Sequence, residues 1–551
     1  MTTSRLSLHG VTKRFADRVV LDRIDLSFRP GERVGVIGDN GSGKSTLLRL
    51  IGGAIDPDAG ELIVRVAGGI GMLDQVLELP AGATMHDAID ACSAELRALE
   101  LAMRVAEQGL AGLDGAGLDG AALDVALAEY AALTERFESR DGYGAPTRLD
   151  ASLEALGVGG LDREREWATL SGGERSRVAI AATVAANPEL LLLDEPSNDL
   201  DDDAWQWLVD RLRAHDGTVV VVTHDRAFLQ ALTQVIVEVD DGGVSRYGDG
   251  YAGYLVAKRN ERERHRLAYE EWKGDLARNR ELIAANAGRL AAIPRKMEKA
   301  AMGHGAFTPR DRTHGAMGRI RMAKAQVTRL LAEPVAPPPE PLTFSAPGMS
   351  AAPAAGIGPD AADDASPVLL ALSGVRVAEA SVDDLELAAG DRLLITGRNG
   401  IGKTSLLRVI AGERRADAGT VTASRRIGHL RQHSAIAPSG QPLLDVYAAG
   451  LREDLETAEA RLMPLGLFHP RDLAVPVGAL SYGQRRRLEL ALLVSEPHEL
   501  LLLDEPTNHL SPDLVEDLEG ALETFAGAVV LVSHDRLLRE RFGGQRLRLP
   551  E

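Results

Sequence analysis

Two glycine-rich stretches carry the chemistry this chain can do. Gly38-Asp39-Asn40-Gly41-Ser42-Gly43-Lys44-Ser45, followed by Thr46, returns as Gly397-Arg398-Asn399-Gly400-Ile401-Gly402-Lys403-Thr404, followed by Ser405. A loop of this kind between a strand and a helix exposes backbone N–H groups that surround phosphate oxygens, and the helix N-terminus adds a favourable dipole. Lys44 or Lys403 then reaches the β- and γ-phosphates, and the hydroxyl of Ser45 or Thr404 suits Mg2+. Asp194 and Asp504 end runs of four leucines and are placed to hold the magnesium shell. Glu195 and Glu505, the next residues, are placed to orient and polarise an attacking water. His224 and His534 each follow a β-branched run and come within reach of the γ-phosphate or that water.

These motifs need particular elements beneath them. Strands at Arg33–Ile37 and Arg392–Thr396 run straight into the glycine turns, and helices at Ser45–Ile51 and Thr404–Ile410 leave them. The chain is therefore α/β, with a parallel sheet in each of two copies of one domain. Leu170-Ser171-Gly172-Gly173-Glu174 is echoed by Leu480-Ser481-Tyr482-Gly483-Gln484, and Thr223-His224-Asp225-Arg226 by Ser533-His534-Asp535-Arg536. The first copy, residues 1–250, carries an Ala/Leu/Glu-rich insertion over 85–143, read as two amphipathic helices joined at Gly109–Gly120. The second copy, 368–551, has a shorter version near Leu443–Leu462. Between them lie a polar helical segment, 251–332, and a Pro/Ala-rich connector, 333–367, within which Pro341–Ala346 is a candidate first strand of the second copy.

The chain of 551 residues, with 45% hydrophobic and 26% charged residues, has an ordinary globular composition. Its apolar runs, such as Leu190–Leu193 and Val219–Val222, are strand-length and far short of the ~18 residues that cross a bilayer. Cys92 is the only cysteine and has no partner for a disulfide; a reducing cytoplasm fits. The net charge is −19, yet Lys258–Arg329 holds 18 Lys/Arg against 8 Asp/Glu, a basic island in an acidic chain.

With the phosphate loops, the Ser-Gly-Gly signature, the Asp-Glu pair and the following histidine in this order, the chain resembles the ATP-binding cassette superfamily. The resemblance implies two ATP molecules with Mg2+, and adds Gln75 and Gln432 as sensors of magnesium and γ-phosphate, Asp199 and His509 in the turns after the Asp-Glu pairs, and Phe15 as a stacking surface for adenine. No aromatic stands in the equivalent stretch Val375–Ala380. It also implies that each signature faces the opposite cassette's nucleotide. Site one then joins Lys44, Ser45, Gln75, Asp194, Glu195 and His224 with Ser481 and Gly483. Site two joins Lys403, Thr404, Gln432, Asp504, Glu505 and His534 with Ser171 and Gly173. Tyr482 stands where the family has glycine, which sets a bulky side chain beside the site-one phosphates and leaves equal turnover at the two sites an open question.

The linker supplies the task. Lys258–Ala292 reads as a charged helix, Pro294, Gly303, Gly305, Pro309, Gly315 and Gly318 interrupt the pattern, and a second basic helix follows near Arg319–Leu331. From Asn286 to Leu330 there are 10 Lys/Arg against 2 Asp/Glu, so positive charge gathers at the tip, 294–318, which also carries Met302, Phe307 and Met317, and at the second helix. Such a tip suits phosphate contact, and RNA better than DNA. Two cassettes, a charged helical linker and no membrane span resemble the ABC-F family of ribosome-associated ATPases, and Gly248–Leu255, Ile293–Met297, Gly303–Phe307 and Leu480–Gln484 resemble its actinomycete antibiotic-resistance branch. That likeness implies a cytoplasmic, ribosome-associated monomer that binds the ribosomal exit site when ATP-bound. Residues 251–332 would touch rRNA and P-site tRNA, the tip would displace macrolide- or lincosamide-type drugs, and hydrolysis would release the protein. The alternatives are a housekeeping translation factor of the same family and the ATPase subunit of a drug exporter with separate membrane subunits. A DNA-repair ATPase is disfavoured, since one cysteine cannot build a zinc module.

Overall fold

The computed structural model of the chain describes residues 5–550 other than 17, 40, 75–76, 78, 114–119, 199, 292–309, 341, 346–367, 399 and 509. In the first cassette β1 (Arg5–Phe15), β2 (Arg18–Phe28) and β4 (Ala59–Arg65) form an antiparallel sheet in the order β2-β1-β4; β3 (Arg33–Ile37) and α1 (Lys44–Ile51) lie between β2 and β4 in the chain. A second sheet orders β5 (Ile70–Leu73), β6 (Leu190–Asp194), β7 (Thr218–Val222), β3, β8 (Val235–Asp240) and β9 (Gly243–Tyr247). It is parallel except for the β8–β9 hairpin. Every residue of β6 is buried, as a central parallel strand covered on both faces requires.

Between β5 and β6 run α2 (Met85–Cys92), α3 (Ala94–Leu113), α4 (Gly120–Ser139), α5 (Ala145–Ala155) and α6 (Gly172–Ala185). The insertion thus contains three helices where two were expected. Ser93 ends α2, its hydroxyl donating back to the Ile89 carbonyl at 2.7 Å. Met85, Ala88 and Ile89 of α2 are buried in the cassette core, whereas Leu101 and Val105 of α3 face outward. Burial pushes the Cys92 thiol up to about 11, which suits packing rather than reactivity. After β6 come α7 (Asp202–Arg213) and α8 (Arg226–Leu232).

The linker forms an antiparallel pair, α9 (Gly250–Ala291) and α10 (Arg310–Ala332), in which Trp272 Nε1 donates to the Leu330 carbonyl at 2.9 Å. α9 begins two turns before the expected Lys258 because Tyr251 and Tyr254 anchor it on Ile37, Leu229 and Ile236. Gly250 permits that start: its φ is +63°, and a Cβ there would stand 2.6 Å from the Thr233 carbonyl. α10 begins before the expected Arg319 and runs through Gly315 and Gly318. Most of the sequence-defined tip, including Met302 and Phe307, lies outside the described residues.

In the second cassette β10 (Val368–Val377), β11 (Ala380–Ala388) and β13 (Ala418–Ala423) form the antiparallel sheet, with β12 (Arg392–Thr396) and α11 (Lys403–Ile410) preceding β13. The other sheet orders β14 (Ile427–Leu430), β15 (Leu500–Asp504), β16 (Ala528–Val532), β12 and β17 (Gln545–Arg548). Its helices are α12 (Leu443–Leu451), α13 (Leu455–Leu462), α14 (Tyr482–Ser495), α15 (Pro512–Thr524) and α16 (Arg536–Arg541). The candidate first strand at Pro341–Ala346 is not one. Leu342 and Phe344 instead pack in a core cluster separate from that of β10, where Phe344 meets Phe525 edge-on at 5.9 Å, and the Ser345 carbonyl accepts from His498 N–H. Among the described residues, pairing begins at Val368.

Candidate active site

Each phosphate loop joins a buried strand to a helix whose N-cap is glycine in the left-handed region: Gly43 at φ 112° and Gly402 at φ 105°. Gly43 has a second constraint, since a Cβ would come within 2.9 Å of Val20. Gly38, Gly41, Gly397 and Gly400 also have positive φ. Lys44 Nζ donates to the carbonyls of Gly38 (2.8 Å) and Asp39 (2.9 Å); Lys403 Nζ donates to those of Gly397 (2.7 Å) and Arg398 (3.0 Å). Burial pulls both lysine pKa values down, so each is a cation that incoming phosphate oxygens would relieve. Ser42 Oγ is buried in the loop with no partner among the described residues. Thr46 and Ser405 sit half-buried in the helices, and Ile401 packs in the second core.

Glu195 and Glu505 follow their strands at φ 52° and 48°, a backbone conformation costly for a non-glycine residue and common at reactive sites. His224 N–H donates to Glu195 (3.4 Å) and His534 N–H to Glu505 (3.0 Å), while each ring Nε2 stands 3.6 Å from the same carboxylate. Burial pushes both glutamates up to about 7 against the opposing pull of Lys44 or Lys403, the range that serves a general base. Asp194 and Asp504 are raised as well, chiefly by burial.

The residues fit Mg2+ bound together with phosphates. Asp504 Oδ2 and Glu505 Oε1 are buried without a hydrogen-bond partner among the described residues, and Thr404 Oγ1 donates to Gln432 Oε1 at 3.4 Å, so hydroxyl, amide and carboxylate oxygens converge. Among the described residues no three His, Cys, Asp or Glu side chains gather into a metal cage of their own. A hard cation that takes one carboxylate and leaves room for phosphate and water needs none. Asn40, Asn399, Gln75, Asp199 and His509 lie outside the described residues. Phe15 is half-exposed with Lys13 Nζ 5.7 Å from its ring centre.

Both signatures are capping boxes. The Ser171 hydroxyl accepts from Glu174 N–H (3.2 Å) and Glu174 accepts from Ser171 N–H (2.7 Å); Ser481 and Gln484 do the same at 3.2 and 2.9 Å. The first turns, with Gly172, Gly173 and Gly483, leave helix N-termini suited to an anion. Tyr482 corrects the expectation of a ring set against the site-one phosphates. Its hydroxyl donates to the Gln432 carbonyl at 2.9 Å, inside its own cassette.

The cassettes meet across these motifs. Arg487 of α14 pairs with Asp39 of the first phosphate loop. Arg226, 2% exposed, pairs with Asp535 (3.0 Å) and Glu519, and Arg536 reaches Asp202 (2.8 Å) and Asp225 (3.6 Å) while covering the Trp205 ring. The pairs Arg226–Asp535 and Arg536–Asp225 are reciprocal, joining the residues after one histidine to those after the other. The sequence offered the repeated His-Asp-Arg as a signal, but not its exchange between copies. Arg262 of α9 adds a bond to Asp517 at 2.9 Å.

Two phosphate loops, two raised glutamates and two helix N-termini brought together by reciprocal arginines define a twin-cassette ATP hydrolase. The chain belongs to the ABC transporter family, matched over residues 21–198 and 381–508, and to its ABC-F branch. It is 56% identical over 550 residues to the tylosin resistance ATP-binding protein TlrC of Streptomyces fradiae, covering 100% of this chain and 98% of that one. It is 30% identical to the energy-dependent translational throttle protein EttA of Mycobacterium tuberculosis, covering 97% and 89%. An archaeal ribosome recycling factor, solved with the ribosomal stalk protein aP1, shares the fold at TM-score 0.51 and 19% identity, covering 98% of this chain and 87% of that one. No helix among the described residues is long and apolar enough to cross a membrane.

Proposed function

We propose that this protein is a ribosome-associated ATPase that gives antibiotic resistance by target protection. Two ATP molecules bind between the cassettes, each with Mg2+ held by Ser45 and Asp194, with Gln75, or by Thr404 and Asp504, with Gln432. Glu195 and Glu505 act on the attacking water. His224 and His534 hold those glutamates and the γ-phosphate, and Ser481 and Gly483, or Ser171 and Gly173, close each site from the opposite side. Mg2+ when bound supplies charge neutralisation of the transferring phosphoryl group.

Closure favours a shape that enters the ribosomal exit site, where residues 251–332 touch rRNA and P-site tRNA and the tip at 294–318 displaces a macrolide- or lincosamide-type drug. Hydrolysis then releases the protein. The observation that carries this reading is the hairpin: α9 alone has 42 residues, about 60 Å at the helical rise, and is anchored at its start on the first cassette and bonded to the second through Arg262. It bears the excess positive charge that phosphate contact needs. Full-length likeness to a tylosin resistance protein supports resistance as the outcome.

Likeness to a translational throttle protein favours a second reading, a housekeeping translation factor. Translation in vitro with ATP and a panel of macrolides, lincosamides and other peptidyl-transferase inhibitors separates them. Target protection predicts rescue by the intact chain and none after deletion of 294–318; a housekeeping factor predicts no rescue by either.

A further inference from the structure

α14 does two jobs. Its first turn carries Ser481 and Gly483, and its next turn sends Arg487 across to the first phosphate loop. On another face, Tyr482 and Arg486 stand four residues apart and therefore side by side. Both reach loops of their own cassette's ATP site. The Tyr482 hydroxyl donates to the Gln432 carbonyl. Arg486, 1% exposed, donates from Nη2 to the carbonyls of Asp504 and Glu505, both at 3.0 Å, and from Nη1 to the carbonyl of Arg431. Glu489, 3.4 Å away, balances its charge.

We propose that α14 is a strut carrying the state of site one to site two through Tyr482 and Arg486, two positioning residues. The proposal rests on the composite-site reading above. A guanidinium buried against main-chain carbonyls is a stiff link: its five donors lie in one plane, and moving it would strand several acceptors without partners. What it holds is the left-handed backbone of Glu505 and the residue before Gln432. When nucleotide at site one draws in the α14 N-terminus, the metal-sensing and water-activating loops of site two must move with it.

Cassette one lacks both side chains. Counting from the signature serine, Gly172 and Ser176 occupy the positions of Tyr482 and Arg486. Glycine has no side chain, and a serine hydroxyl offers one donor on a short arm. The two sites are therefore linked through cassette two alone, by a coupling that acts equally in both directions, as linkage requires, and cassette one adds no second link of this kind. The bulky departure from the signature serves this connection rather than obstructing a phosphate.

The test uses the full chain with Lys403→Ala, which leaves site one as the nucleotide site, and follows amide exchange on adding ATP and magnesium. Residues 38–45 should slow, and with them residues 428–434 and 504–508, by about threefold or more. Adding Tyr482→Phe should abolish the response at 428–434, and Arg486→Ser that at 504–508, with 38–45 still slowed. Tyr482→Phe keeps the ring and the fold. Turnover gives a second readout: with Glu195→Gln, Arg486→Ser should lower kcat about tenfold with little change in KM, and Arg486→Lys should restore part of it. Unchanged responses at 428–434 and 504–508 in the two variants, or none there while 38–45 slows, would overturn the strut. No slowing at 38–45 would instead remove the nucleotide reading beneath it.

Discussion

Arg487, one turn into the helix that opens with the second signature, forms an ion pair with Asp39 in the first phosphate loop. The matching positions at site two are Arg177 and Arg398, both cations. Site one is thus drawn together by its own side chains, whereas closing site two brings like charges toward each other until phosphates neutralise them. With the Arg487 side chain 19% and that of Asp39 37% exposed, the pair is worth on the order of 1 kcal/mol.

Asp39→Arg should therefore weaken nucleotide-driven closure at site one about fivefold, by the tenfold-per-1.4 kcal/mol rule. Asp39→Arg combined with Arg487→Asp should recover most of it. Small-angle scattering titrated with ATP measures closure; a double variant no better than the single would dissolve the pair's role.

Glu195→Gln and Glu505→Gln together should reduce ATP turnover by about 10²-fold or more, the usual weight of a positioned base. Each alone should leave the other site running. Phosphate release measures this, and near-native turnover in the double variant would move the base elsewhere.

The ATPase pH profile follows from the same carboxylates. A base works deprotonated, and burial holds both glutamates up to about 7 rather than near 4.5. Activity should rise as pH passes through about 7 instead of being complete by pH 6. In the nucleotide-free protein the proton is bound more tightly folded than unfolded, so the stability contributed by these groups is present below about 4.5 and fades as pH climbs through about 7. A rate flat from pH 5.5 to 8 would contradict the assignment.

Arg226 is the buried centre of the cassette junction. Arg226→Ala leaves Asp535 without its buried cation and Glu519 with Arg541 alone, at a cost of about 3–5 kcal/mol. Urea unfolding should show the junction separating before either cassette melts; a single unshifted transition would show that the cassettes do not depend on it.

The phosphate loops, Asp-Glu pairs, histidines and signatures were legible because each is a short local string whose backbone job restricts its residues. β6 and β15 announced themselves as continuous leucine runs. What the sequence withheld was long-range or set by tertiary contact. Arg226 reads as a helix-start arginine until Asp535, 309 residues away, is brought to it. Arg486 lies among three arginines with nothing to mark which is buried. Tyr482 looked like an obstruction because its hydroxyl's partner, a backbone carbonyl, has no sequence signature. Leu342 and Phe344 imitated a strand because alternation reports burial of one face, not pairing.

Sedimentation with purified ribosomes tests directly whether the protein is, as proposed, a nucleotide-closed clamp that grips RNA through its basic linker. The Glu195→Gln/Glu505→Gln chain with ATP should pellet with ribosomes and dissociate as salt rises. Changing Arg319, Arg321, Lys324 and Arg329 to Gln should weaken binding and flatten that salt dependence. A double-Gln chain that stays in the supernatant with ATP, or pellets with the same salt profile after those four changes, would contradict the account.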